Sequence, residues 1–341
     1  MLEVTYTAND ALATIRPDWL GTPITAKGRY VNHEYPYLTS LSAVLKWKLG
    51  PTPQATEKKH DGRRLQVADP AAFFASSDDG IVWLGHASFF IRIGGITILT
   101  DPVFYKLPFV REWITIPNPI ADLPRIDYLL VSHDHRDHCD QRSITELGQK
   151  YSHMQVHVGL GLKGLLHSWL PQSCHIVEHG WYQRWQQTDE LQLDYLPTRH
   201  WGRRGLTDTN KRLWGAFMIS VGDRRIYFGG DSGYGSHFAE LATMYEHIDL
   251  AILGIGAYSP RWFMHHVHMA PELTSKAFAD MKASKLLPMH YGKYDLSDEP
   301  PGEPRELIQK EMEQAGRIGD LVLLNIGEEI DFAAGLVRYT E

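Results

Sequence analysis

From residue 80 onward, short apolar runs alternate with longer stretches of helical periodicity. The runs at 81–84, 126–132, 155–158, 191–196, 215–221, 225–228, 250–255 and 286–289 are rich in Val, Ile, Leu, Phe and Tyr, which predicts strands. Segments 89–93 and 96–99 flank Gly94 and Gly95 and read as a hairpin. Helical patterns fall between them at 143–150, 161–169, 235–245, 271–283 and 303–315. Strands alternating with helices predict an α/β architecture. Residues 1–70 differ, being rich in Pro, Gly, Tyr and charge. One short helix is predicted there at 40–48, and 51–59 reads as loop. The expectation is a single domain, 71–341, with 1–70 as an arm packed on it.

Composition narrows the class. The chain has 341 residues, 43% of them hydrophobic and 22% charged, as in an ordinary globular protein. A net charge of −7 offers no footprint for nucleic acid, so none is expected as a partner. No run approaches the ~18 apolar residues of a membrane-spanning helix. The first residues lack a basic segment followed by an apolar one, so no signal peptide is predicted. The expected compartment is the cytoplasm, with peripheral contact at the inner membrane face left open. The two cysteines, Cys139 and Cys174, exclude a disulfide framework and a four-thiolate zinc site.

Eighteen histidines matter because of where they fall. His133, His135, Asp137 and His138 directly follow the apolar run at 126–132. His200, Asp231 and His290 each follow another such run. Polar residues at strand ends are where an α/β sheet presents ligands. Imidazole nitrogens and carboxylate oxygens suit zinc. His133 and His135, two apart, can project the same way from an extended turn, and Asp137 and His138 can reach a second metal. The alternatives are a solvated loop for the cluster, a structural histidine for His200 and a Gly-rich turn for Asp231.

H-x-H-x-D-H after a strand, followed by a distal His, Asp and His at strand ends, resembles the metallo-β-lactamase-fold hydrolases. That resemblance implies an αββα sandwich of two mixed β-sheets flanked by helices. His133, His135 and His200 would bind one metal, Asp137, His138 and His290 a second, with Asp231 bridging. Two zinc ions per chain are expected, with iron or manganese as alternatives. The strings WLGHASF at 83–89, LTDP at 99–102, RHWGRR at 199–204, DTNKRLWG at 208–215, GDSGY at 230–234 and GAYSPRWFM at 256–264 are more specific. They resemble N-acyl-phosphatidylethanolamine-hydrolysing phospholipase D and its bacterial relatives. The resemblance places His268 near the substrate phosphate and implies a homodimer with access from a membrane surface. The linker 104–124 and the first 70 residues depart from the pattern.

Two metals about 3.5–4 Å apart can activate a shared hydroxide for in-line attack on a phosphodiester phosphorus. Asp231 and His268 are then the candidate catalytic groups. Arg204, beside Arg203, could meet a phosphate or form a solvated basic turn. His86 is expected to support the ligands without binding metal. Asp101 either orients a ligand His through its second nitrogen or terminates a strand. The expected substrate is a phospholipid or smaller phosphodiester. A lactonase using the same site and a non-catalytic metal-binding scaffold are the competing readings.

Overall fold

A computed structural model describes residues 3–32, 34, 40–187 and 190–333. The arm supplies β1 (Val4–Thr7), β2 (Ala13–Thr14) and β3 (Thr22–Thr25), then α1 (Leu41–Leu49) and α2 (Ala55–His60), and α3 (Ala71–Ala75) follows it. Next come β4 (Gly80–Gly85), β5 (Ser88–Ile93), β6 (Ile96–Thr100), β7 (Tyr128–Val131), α4 (Gln141–Lys150), β8 (Gln155–Gly159), α5 (Lys163–Leu166) and β9 (His175–His179). The second half runs β10 (Gln183–Gln186), β11 (Leu191–Leu196), β12 (Ala216–Val221), β13 (Arg224–Phe228), α6 (His237–Met244), β14 (Leu250–Gly254), α7 (Arg261–Met264), α8 (Pro271–Asp280) and β15 (Lys285–Met289). α9 (Glu303–Gln314) and β16 (Glu329–Asp331) follow.

Two seven-stranded sheets result, in the orders β16-β4-β5-β6-β7-β8-β9 and β15-β14-β13-β12-β11-β10-β2. Both are mixed: β6 to β9 and β13 to β15 run parallel, and the remaining neighbours antiparallel. All six residues of β4 are buried, so the strand has two apolar faces. Ile81 and Trp83 pack with Leu193, Tyr195, Phe217 and Phe228 of the other sheet. Val82 and Leu84 pack with Phe73 and Phe74 of α3 and Ile144 and Leu147 of α4. Each such side chain contributes roughly 1.5–3 kcal/mol of burial. Phe278 of α8 and Ile308 and Met312 of α9 join the second sheet's core. The architecture is the α/β sandwich of two mixed sheets flanked by helices that the resemblance implied.

The apolar strands and long helices stand where periodicity puts them, whereas weakly patterned elements do not. The expected loop at 51–59 contains the start of α2, which has no buried residue. Tertiary partners hold it: Lys58 bonds Asp295 and the Ser297 carbonyl, and Gln54 bonds Glu303 at 2.6 Å. The helix expected at 161–169 shrinks to α5, because Gly161 turns the chain with φ +88° just before it. β9 and β2 at the sheet edges, and β10 beside β2, carry polar residues that hide them from an apolar count. β2 pairs with β10, and Thr22 Oγ1 accepts the Trp181 N–H at 2.8 Å, so the arm completes the second sheet. The domain limit expected at 341 lies outside the described residues.

Candidate metal centre

The site forms where loops leave the strand ends of both sheets. Three buried strand residues in a row, Leu129 to Val131, deliver the chain to Ser132 and then to the loop His133–His138. α4 stops that loop, its first turn capped by the Asp140 carboxylate, which accepts from Ser143 N at 2.9 Å. His200 follows β11, Asp231 follows β13 and His290 follows β15.

These residues converge in two groups. Ligand atoms of His133, His135, His200 and Asp231 lie within 4.8 Å of one another, as do those of His86, Asp137, His138 and His290. In the first group, His135 Nδ1 is 3.0 Å from His133 Nε2 and 3.1 Å from His200 Nε2. Asp231 Oδ2 stands between the groups, 3.8 and 3.6 Å from His133 and His200 Nε2, and 3.2 Å from His138 and His290 Nε2. Asp137 Oδ2 is 3.7 Å from His138 Nε2 and 3.5 Å from His290 Nε2. His138 Nε2, His290 Nε2 and Asp231 Oδ1 are buried with no hydrogen-bond partner. Buried polar atoms are almost always satisfied. Nitrogens and carboxylate oxygens turned on one another in this way fit divalent cations, and each group offers the three or four N/O donors of such a site.

Other side chains aim the donors. Asp101, fully buried, accepts from His138 Nδ1 at 2.7 Å, from Ser132 Oγ at 2.6 Å and from Ser132 N at 2.7 Å. The bond fixes His138 with Nε2 free for a ligand. The Val267 carbonyl takes His200 Nδ1 at 3.0 Å. Asn32 of the arm holds the His200 backbone from both sides, at 2.8 and 3.1 Å. His86, Asp101 and His290 all have positive φ, at 56°, 33° and 64°. Such conformations cost of order 1–3 kcal/mol each and cluster at functional sites. Gly256 leaves room for the His290 turn, since a Cβ there would stand 2.1 Å from the His290 carbonyl oxygen.

The electrostatics favour a positive guest. Burial lowers the imidazoles of His133 and His200 well below their ordinary range, leaving neutral donors. Burial also disfavours charge on His138, yet Asp231 and Asp137 outweigh it and hold His138 well up. His290, under the same opposing pulls, is pushed up to about 9. Against burial, His138 holds both Asp137 and Asp231 well below the carboxylate range, joined at Asp231 by His290. Without a cation, the cluster's negative charge is met by protons on His138 and His290.

The structure brings together every expected ligand. His268 joins them, its Nδ1 3.8 Å from Asp231 Oδ2, with burial lowering it to about 4. It also lines a cavity of about 300 Å³ with Tyr258, Trp262 and Leu273. His86 bonds Asp137 at 3.1 Å and its ring lies tilted against His290 with centroids 4.0 Å apart, so it lies within ligand range of the second group as well as beside it. Asp101 orients a ligand and is no mere strand terminator. Arg204, expected to meet a phosphate or to form a solvated basic turn, is placed against the ligand loop. Its guanidinium donates to the carbonyls of Asp134 and Cys139 at 2.9 and 2.5 Å and lies over Trp169, which makes it a brace on the outside of the ligand loop. Arg203 bonds the Gly205 carbonyl. Cys139 is buried, and that burial pushes its thiol up to about 12. Three contributors escaped the sequence: Asn32, the ion pair at 2.6 Å that ties Asp134 of the loop to Arg212, and Trp201, edge-on to His135 at 4.6 Å. The Trp201 position beside His200 was the one available signal.

Residues 97–291, more than half the chain, match the family model of the beta-lactamase superfamily domain, and the chain belongs to that superfamily. Its homologues include N-acyl-phosphatidylethanolamine-hydrolysing phospholipase D 1 of Caenorhabditis elegans, 30% identical over 295 residues, which are 80% of this chain and 82% of that protein. An uncharacterised protein of Mycobacterium tuberculosis is 34% identical over 238 residues, covering 67% of this chain and 62% of its own. The chain thus spans less than two thirds of that relative. Among solved structures, Igni18, a metallo hydrolase of Ignicoccus hospitalis KIN4/I, superposes with a TM-score of 0.56 at 18% identity, over 74% of this chain and 97% of that one. At that identity the likeness is one of fold.

Proposed function

We propose that the protein is a dinuclear metal-dependent phosphodiesterase of phospholipase D type, acting on N-acyl ethanolamine phospholipids or related glycerophosphodiesters. The observation that carries the reading is Asp231 Oδ2, placed between two imidazole–carboxylate groups and within 3.8 Å of His268. His133, His135 and His200 would hold one ion, Asp137, His138 and His290 the other, and zinc suits both donor sets. A pair of ions so held supplies an activated water and charge for the phosphoryl oxygens.

The chain's own residues do the rest. Asp231 fixes the spacing of the two groups. His268, neutral at pH 7, presents a ring nitrogen to a phosphoryl oxygen at the head of the 300 Å³ cavity. Trp262, 45% exposed, forms the cavity's outer wall with the Lys46 ammonium of α1 4.7 Å from its ring centre. An aromatic ring and a cation at the mouth suit a peripheral approach to a lipid surface. Among the described residues no helix is long and apolar enough to cross a membrane.

A substrate panel tests the reading. Metal-replete protein should release phosphatidic acid from N-acyl phosphatidylethanolamine and nitrophenol from bis-p-nitrophenyl phosphate. His268→Ala should slow both by about 10²-fold or more, the usual weight of one polar group at a reacting centre, while metal content holds. Opening of lactones with no phosphodiester turnover would replace the reading with a lactonase. Absence of turnover on every substrate would leave a metal-binding scaffold.

A further inference from the structure

A second cavity, about 910 Å³, opens on the outer side of the ligand loop, where α4 begins. Four cations line it: Lys106, Arg136, Arg142 and Arg204. Arg136 stands between the ligand residues His135 and Asp137, and Arg204 is lashed to the same loop through the Asp134 and Cys139 carbonyls. The Arg142 guanidinium carbon stands 3.7 Å from the centre of the Tyr105 ring, another lining residue. Two carboxylates share the lining, each hydrogen-bonded to a neutral donor. Asp140 accepts from Ser143 N and Oγ at 2.9 and 2.7 Å, and Glu146 accepts from the Tyr105 hydroxyl. Among the described residues Lys106, Arg136 and Arg142 have no carboxylate within ion-pair distance. Four cations against two carboxylates leave the lining net positive, and a net positive hollow draws an anion.

We infer that this cavity is a binding site for a phosphate group, separate from the metal centre and on the opposite side of the ligand loop. The guanidinium fork matches phosphate oxygens in bidentate geometry, and lysine adds a point charge. The phosphate can arrive free, on a small phosphomonoester, or on a lipid headgroup. The rim supplies a reason for the second source: Phe109, next to the lining residue Pro108, is fully exposed at φ +62°. Bound phosphate would draw Arg136 and Arg204 together across the segment carrying His135 to Cys139, stiffening the loop that holds the ligands.

The test compares the metal-loaded wild type with Lys106→Gln/Arg142→Gln, two surface positions outside the metal centre, and with Lys106→Gln alone as a milder variant. Zinc content and melting temperature confirm folding. Glycerol 3-phosphate is titrated calorimetrically in one arm, and vesicles of phosphatidylcholine with phosphatidic acid are co-sedimented in the other. Phosphate held at the metals contributes equally to all three proteins. Loss of two charge-assisted contacts should weaken binding by about tenfold or more, with the single variant in between. Weakening in the calorimetric arm assigns the site to a soluble phosphomonoester, and weakening confined to the vesicle arm assigns it to a lipid headgroup. Equal binding by all three proteins in both arms would overturn the inference. Neither readout depends on turnover, so its failure is distinct from failure of the phosphodiesterase reading.

Discussion

Asp231 concentrates the chemistry of the site in one oxygen. Its Oδ2 touches both ligand groups, so removing its charge should loosen both at once. Asp231→Asn is expected to lose at least one ion by elemental analysis and about 10²-fold or more in rate, as for changes at a metal's inner ligands. Full zinc content with full activity would remove Asp231 from the bridging position. A second expectation concerns protons. Metal ligands must be deprotonated, and His290 is held at about 9 by Asp231 and Asp137 against the pull of burial. At pH 7 it therefore carries a proton that a cation must displace. Apparent affinity should rise with pH up to about 9 and fall about tenfold per unit below it for each proton released. Competition with a chelator at pH 6, 7 and 8 measures this, and a flat profile would contradict it. Among single residues, the candidate ligands were the most legible, because three His and two Asp fall within the six residues 133–138. The supporting groups were not. Asn32 reaches His200 across 168 positions, and nothing local to either residue marks the pair.

At the scale of elements, the loop between β7 and α4 is a clamped span. Asp101 pins its start through Ser132, Asp140 caps its exit, and Arg204 and Arg212 hold its outside. Arg204→Ala should therefore reduce zinc affinity and lower the melting temperature by removing hydrogen bonds worth about 1–3 kcal/mol. If Arg204 met the substrate instead, KM would rise at unchanged zinc content, and steady-state kinetics beside elemental analysis separates the outcomes. Legibility here followed burial. β7, β11 and β14 were visible as apolar runs because both their faces are covered. α2 was not, since it stands on ion pairs and hydrogen bonds to residues about 240 positions away. β9 and β10 carry charged and polar side chains towards solvent and so lack the signal that marked their neighbours.

The whole molecule is a device for bringing strand ends from two sheets to one place. Six site residues leave the first sheet near β4, β6 and β7, and three more leave the second sheet after β11, β13 and β15. The group of His133, His135, His200 and Asp231 draws on both sheets. The αββα arrangement was legible only through resemblance, since periodicity gives strands without their order. Nothing local marked the first residues as the seventh strand of a sheet or as the partner of His200. The central claim, that two ions act together across Asp231, is tested most directly by titrating metal-free protein with zinc while following bis-p-nitrophenyl phosphate hydrolysis. The account predicts activity that climbs to a plateau at two equivalents per chain. A plateau at one equivalent, or no phosphodiester turnover at any loading, would contradict it.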